Sequence, residues 1–309
     1  MINVFMSYVV RGSDFAIKGV IHNALQFTKT ARICVHLPMH SSFKKDIFKN
    51  NRLIFNPNSI IVEKHTASIL KAHLLNFLFV AHMMYKQDKF VFMSTNQVIF
   101  KPGIEEWVSK FSMSFCKGQN CTDLYPYESP KVFFPSFILE KLSIRESMST
   151  WYIRYEEALC KKKIKHLDCL YSNFFPHEGS FYPKYVLSDF TQKIYVDNQG
   201  IFSSSHCSSL YPPMPTKMSL RGFRRSSVLL AGECSMEELL LPTFVFQYYS
   251  SLIPFSTVPI VLRLWTTLNL NFAVNKNWIR NISTSSHTYF ALKVPRHEFP
   301  HTHIALNLS

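Results

Sequence analysis

Two adjacent carboxylates, Glu237 and Glu238, stand at the mouth of an apolar run, Gly232-Glu-Cys-Ser-Met-Glu-Glu-Leu-Leu-Leu-Pro-Thr243. A carboxylate so placed suits general-base chemistry. It takes the proton from a hydroxyl as that oxygen attacks an electrophilic carbon, a contribution of roughly 10²- to 10⁴-fold in rate. Glu238 opens the stretch Leu239 to Tyr248, where the positive end of a helix dipole favours the ionised form. The plain structural alternative is that both glutamates decorate a helix N-terminus. Three further segments end apolar runs on polar groups: Phe90-Val-Phe-Met-Ser-Thr-Asn96, Glu178-Gly-Ser-Phe-Tyr182 and Phe290-Ala-Leu-Lys-Val-Pro-Arg296.

Other chemistries find little support. The aspartates Asp14, Asp46, Asp88, Asp123, Asp168, Asp189 and Asp197 are never two apart, so no Asp-x-Asp metal pair exists. Cys34, Cys116, Cys121, Cys160, Cys169, Cys207 and Cys234 show no Cys-x-x-Cys spacing, which excludes a zinc ribbon or dithiol redox motif and leaves buried thiols. His297, His301 and His303 are loosely spaced with no cysteine nearby. No metal site is expected. With 8 glycines, and none in a GxGxxG or P-loop array, the chain lacks the phosphate loop of a dinucleotide enzyme or NTPase.

Positioning such groups requires a scaffold, and the hydrophobic periodicity supplies one. Asn3–Val10 reads as a buried strand, Phe15–Thr28 as a helix and Arg32–Leu37 as a second strand, the opening of a βαβ unit. Ser59–Val62 then reads as a short strand, Ser68–Tyr85 as a helix, Lys89–Ser94 as a strand and Gly103–Phe111 as a short helix with Glu105 and Glu106 in its first turn. The pattern predicts an α/β fold, a mostly parallel sheet flanked by helices, in a single domain over 1–309. Ligands of such sheets bind beyond the carboxyl ends of the strands, here Val10-Arg-Gly-Ser13, His36-Leu-Pro38 and Ser94-Thr-Asn-Gln97. Residues 1–112 form the regular half. Residues 113–309 are less periodic, with an acidic helix at Ile153–Leu159, a helix over Phe181–Tyr195, a strand at Ser226–Leu230, a helix over Met236–Tyr249 and an aromatic, basic tail that packs back on the sheet.

Composition bounds the partners. Hydrophobic residues make up 47% of 309 and charged ones 17%, which suits a packed domain and not a disordered chain. The net charge of +14 calls for an anionic partner. Nucleic acid is the rival from another class, since basic and aromatic residues also build such surfaces, but the lysines are scattered. The densest run, Lys161-Lys-Lys-Ile-Lys165, reads as the solvated end of a helix, with peripheral membrane contact as its alternative. Ile69–Met84 is interrupted by Lys71, His73, Asn76 and His82 and reads as a core helix, not a membrane span. Met1–Val10 shows no signal-peptide pattern, so the expected compartment is the cytoplasm.

The four segments, in order, resemble the core-2/I-branching N-acetylglucosaminyltransferase and protein xylosyltransferase family. Met93-Ser-Thr-Asn96 is similar to that family's Ser-Gly/Ala-x-Asp strand end, with Asn96 where the family has Asp. Gly179-Ser-Phe-Tyr182 resembles its Gly-Ser-x-Trp/Tyr segment, Ser235-Met-Glu-Glu-Leu-Leu-Leu-Pro-Thr243 its acidic-pair segment, and Phe290-Ala-Leu-Lys293 its late Phe-Ala-x-Lys. The family's proline before the acidic pair and its disulfide cysteines are missing. The resemblance implies a GT-A fold and a metal-independent inverting transfer of GlcNAc or xylose from a UDP-sugar to a glycan or glycoprotein hydroxyl, with no cofactor. Glu238 becomes the base, while Lys293, Arg296 and Arg263 hold the diphosphate in place of a metal. Asn96, Glu178, Ser180, Glu237 and His36 line the cleft. A buried core role for His36, a plain turn carboxylate for Glu178 and an ordinary surface role for Arg263 stay open, as does a catalytically inactive glycan-binding relative. The family's Golgi members carry a membrane anchor, so the Golgi lumen is the alternative compartment.

Overall fold

The computed structural model describes residues 2–39, 41–45, 48–62, 67–115, 164–168, 175, 177–202, 238, 240–251, 254–256, 260–263 and 289–293. Its centre is strand β1 (Val4–Val9), whose six residues are all buried. A strand covered on both faces needs apolar groups at nearly every position. Val-Phe-Met-Ser-Tyr-Val meets that demand. The period of two then sends Val4, Met6 and Tyr8 into one core and Phe5 into the other.

Helix α1 (Asp14–Phe27) follows, its first turn closed by the Ser13 hydroxyl accepting from Ala16 N–H at 3.3 Å. It packs on the first core face and leads into β2 (Arg32–His36), parallel to β1. The sheet continues to β3 (Leu53–Phe55), parallel to β2. Helix α2 (Ser68–Val80) covers the other face against β1 and β2. Strand β4 (Lys89–Ser94) then returns beside β1, again parallel. The last member is β7 (Phe181–Pro183), antiparallel to β4, which gives the order β3-β2-β1-β4-β7. A mixed α/β fold with a five-stranded, mostly parallel sheet is thereby shown.

A tight turn after β4 feeds β5 (Gln97–Ile99), which belongs to a second sheet with β9 (Val261–Arg263) and β10 (Ala291–Lys293). The buried Asn23 of α1 holds β5 in place: its amide donates to Ile99 C=O at 2.9 Å and its carbonyl accepts from Ile99 N–H at 2.7 Å. Helix α3 (Ile104–Ser109) carries Glu105, whose carboxylate accepts from the N–H groups of Lys29, Thr30 and Ala31 at 2.8–3.2 Å. The first-turn acid thus secures the α1–β2 turn. Short strands β6 (Met113–Ser114) and β8 (Phe255–Ser256) pair with each other. Helices α4 (Lys184–Phe190) and α5 (Leu240–Tyr249) complete the second core.

Several boundaries depart from expectation. Ser59–Val62 is not a strand; Leu53–Phe55 takes the edge of the sheet instead. The reason is register. Asn56-Pro-Asn58 breaks the extended chain, and the following residues have passed the end of β2, so Ile60 N–H donates to the His36 ring instead of to a ladder carbonyl. The segment Phe181–Tyr195 is strand, then α4, then a π-helical turn at Thr191–Tyr195, because Pro183 ends the strand and precedes the helix, where its missing N–H costs nothing. The α2 helix stops at Val80, with a 3₁₀ turn to Met83. Of the late segment, the described strands Val261–Arg263 and Ala291–Lys293 form the second sheet with β5. The acidic helix at 153–159, the strand at 226–230 and Lys161–Lys163 lie outside the described residues.

Candidate active site

The site lies beyond the carboxyl end of β4. Ser94 is the last residue of that strand, and Asn96 sits in the turn that follows. The Ser94 hydroxyl lies 2.9 Å from Asn96 Oδ1 and 3.4 Å from Glu178 Oε1. Having one proton, it serves one of them at a time. Gln97 holds the turn by accepting from Ser94 N–H at 3.0 Å.

Glu178 arrives on the segment leading into β7, and its backbone is clamped from both sides. Gly179 N–H donates to Phe92 C=O at 2.7 Å, while Gly179 C=O accepts from Ile260 N–H at 3.1 Å. Only glycine fits: φ is +81°, and a Cβ would lie 2.6 Å from the Val261 nitrogen. Ser180 is wholly buried, and its hydroxyl donates to His177 C=O at 2.6 Å, so it fixes the loop from below instead of lining the cleft.

Lys293 ends β10, in register with Gln97 on one side and Arg263 on the other. Its ammonium contacts both oxygens of Glu178, at 2.7 and 2.9 Å. Register places the Arg263 backbone beside that of Lys293. Glu238 stands two residues before α5, not at its first turn, and its carbonyl accepts from Phe175 N–H at 3.0 Å. Its carboxylate meets His177: Nδ1 lies 3.3 Å from Glu238 Oε1, and Nε2 lies 3.9 Å from Glu178 Oε1. One imidazole therefore stands between two carboxylates.

Both glutamates are 4% exposed. Burying carboxylates is costly unless they are paired, and departures from the ordinary rules of packing concentrate at functional sites. Among the described residues, Lys293 and His177 offset that cost. The ligand atoms of His177, Glu178 and Glu238 all lie within 4.8 Å of one another. Imidazole nitrogens and carboxylate oxygens are donors a divalent ion accepts, and among the described residues these three could hold it. The Lys293 ammonium already neutralises the Glu178 carboxylate.

A polar network lies beneath. His73 of α2 is fully buried, stacked on Phe92 at 4.6 Å and 6.2 Å from the His177 ring. Its Nδ1 is 2.8 Å from Ser7 Oγ, which also accepts from Asn76 at 2.9 Å, and Asn56 donates to Asn76 Oδ1 at 2.9 Å. Burial, followed by the neighbouring His177 and His36, holds the His73 pKa well below the usual imidazole range. Its neutral ring therefore makes no charge demand under the site. His36 is likewise in the core, and burial pushes its pKa down to about 4.

The neighbouring strand ends are tied together beside this cluster. Arg11 N–H donates to the Thr95 hydroxyl at 2.6 Å, tying the β1 end to the β4–β5 turn. A cavity of about 240 Å³ opens there beyond β1 and β2, lined by Arg11, Gly12, Pro38, Met39 and Ser41 among others. The strand order reverses between β1 and β4, whose ends the Arg11–Thr95 hydrogen bond joins, and such a reversal is the position where open α/β sheets bind ligands.

Of the residues expected from sequence, Glu238, Glu178, Lys293 and Asn96 come together, with the Arg263 backbone alongside. Ser180 and His36 lie in the core beneath. Glu237 and Arg296 lie outside the described residues. Sequence reasoning missed His177 and named Ser94 only within the strand-end segment Ser94–Gln97. Their only signal was adjacency, in His177-Glu178-Gly179-Ser180 and at the end of the Phe90–Ser94 strand. No protein-family model and no curated protein sequence matches the chain.

Proposed function

We propose that the protein is an inverting glycosyltransferase of GT-A type, transferring GlcNAc or xylose from a UDP-sugar to a hydroxyl of a glycan or glycoprotein without a metal ion. The observation that carries this reading is convergence. Segments around Ser94, Glu178, Glu238 and Lys293, spread over 200 positions of sequence, meet within a chain of contacts of 2.7–3.9 Å at the strand ends.

In the proposed reaction the acceptor oxygen forms its bond to the anomeric carbon as the bond to the β-phosphate oxygen breaks. The electron pair leaves with UDP. The acceptor proton passes to the Glu238 carboxylate. Lys293 faces the departing phosphate, with Arg263 and Arg296 as its proposed helpers; at an effective dielectric of about 20, a charge within about 4 Å is worth roughly 4 kcal/mol before desolvation. Glu178 orients Lys293 and, once the phosphate draws the ammonium away, accepts a hydroxyl of the acceptor. The cavity at the ends of β1 and β2 takes the nucleoside. The cytoplasm is the proposed compartment; among the described residues no helix is long and apolar enough to cross a membrane.

The test is a panel of UDP-sugars assayed for UDP release with and without EDTA, on wild type and Glu238→Gln. Turnover insensitive to chelator and lost in the variant is expected. Chelator-sensitive turnover would refute Lys293 as the cation in charge and hand that role to an ion on His177, Glu178 and Glu238.

A further inference from the structure

We infer that His177 is a positioning residue for Glu238, donating its Nδ1 proton to Glu238 Oε1 and turning the other carboxylate oxygen toward the acceptor. This rests on the assignment of Glu238 as base. The geometry is specific to one ring nitrogen: Nδ1 stands 3.3 Å from Glu238, whereas Nε2 is 3.9 Å from Glu178, beyond hydrogen-bond reach. An ionised carboxylate accepts only, so the nitrogen facing it must carry the proton. The bond is long at rest, as catalytic bonds often are before substrate closes the site.

The surroundings are built to hold that ring. Ser180 grips the His177 carbonyl twice, through its N–H at 2.9 Å and its hydroxyl at 2.6 Å. Glu238 is drawn to the same segment through Phe175, two residues before His177. Below lies His73, locked by Ser7 and stacked on Phe92, a neutral ring that does not compete for the proton. Among the described residues, the charged groups facing His177 are Glu238, Glu178 and, across Glu178, Lys293. Pairing a base with an orienting donor leaves the carboxylate one productive rotamer and stabilises its ionised form.

The experiment compares His177→Ala, His177→Asn, Glu238→Gln and the double variant His177→Ala/Glu238→Gln in the full-length chain. Each is assayed for hydrolysis of UDP-GlcNAc and UDP-xylose and for UDP binding by calorimetry. Asparagine places an amide N–H near the position of Nδ1. We expect His177→Ala to lower kcat by about 10²-fold with UDP affinity kept within about twofold, His177→Asn to recover most of that loss, and the double variant to be no slower than Glu238→Gln. Multiplying losses, or an asparagine variant no better than alanine, would overturn the proposal. Its failure is separable from that of the transferase reading. Should the wild type hydrolyse neither sugar, ¹⁵N spectra of histidine-labelled protein, with His177 assigned through His177→Asn, decide it alone: a protonated Nδ1 that is lost in Glu238→Ala supports the pairing, and a bare Nδ1 in the wild type refutes it.

Discussion

Glu178 and Glu238 are buried to the same degree but hold different partners, and that difference separates their roles. Glu178 faces an ammonium, and Glu238 faces an imidazole. Removing Lys293 takes the ammonium from a buried carboxylate, so Lys293→Gln is expected to cost more than a surface charge, on the order of 3 kcal/mol in stability, and to weaken UDP binding at least tenfold by calorimetry. Glu238→Gln keeps the shape and an acceptor for His177. It should leave UDP binding within about twofold while lowering kcat by roughly 10²- to 10⁴-fold. These two outcomes together distinguish a diphosphate contact from a base.

At the level of elements, the segment 177–183 is the hinge of the design. It is the edge strand of the main sheet, through Phe181–Pro183, and it meets the second sheet at Ile260. Gly179 stands where the two approach. Gly179→Ala would force a side chain into left-handed backbone and against Val261, costing on the order of 1–3 kcal/mol or displacing β9; a lowered urea midpoint together with loss of UDP binding is expected. The β1–α1–β2 unit and strand β4 were legible in the sequence because their apolar residues recur at periods tied to one buried face. Strands β5, β7, β9 and β10 were not. Each is three residues long, too short for a period, and each owes its strand form to partners far away in sequence: Lys293 to Gln97, Phe181 to Val91. The same applies to the site. Glu238, Glu178 and Lys293 announce themselves as charges at the edges of apolar runs. His177 does not, because an imidazole becomes an orienting donor only when folding brings Glu238 to its Nδ1.

Across the whole molecule, burying neutral histidines links folding to pH. His36 has a folded pKa of about 4, against about 6.5 when unfolded. Between those values the unfolded chain binds more protons, so stability is unaffected well above pH 6.5 and falls as pH drops below it, by about 2 kcal/mol at pH 5 from this one residue. His73, displaced in the same direction, adds to the loss. Urea midpoints measured at pH 7.5 and pH 5 should differ accordingly, and His36→Gln should flatten the slope. The thiol of Cys34, pushed up to about 12 by burial, should resist alkylation in the native state and react only on unfolding.

The ion pair between Lys293 and Glu178 has a consequence for the design of blockers. A purely anionic compound gains the lysine but draws its ammonium away from a glutamate that is 4% exposed. A zwitterion, carrying a phosphate mimic on one arm and a protonated amine on the other, would supply both halves of the broken pair. Such iminosugar-like scaffolds should outcompete their amine-free analogues, and Glu178→Gln should erase the advantage.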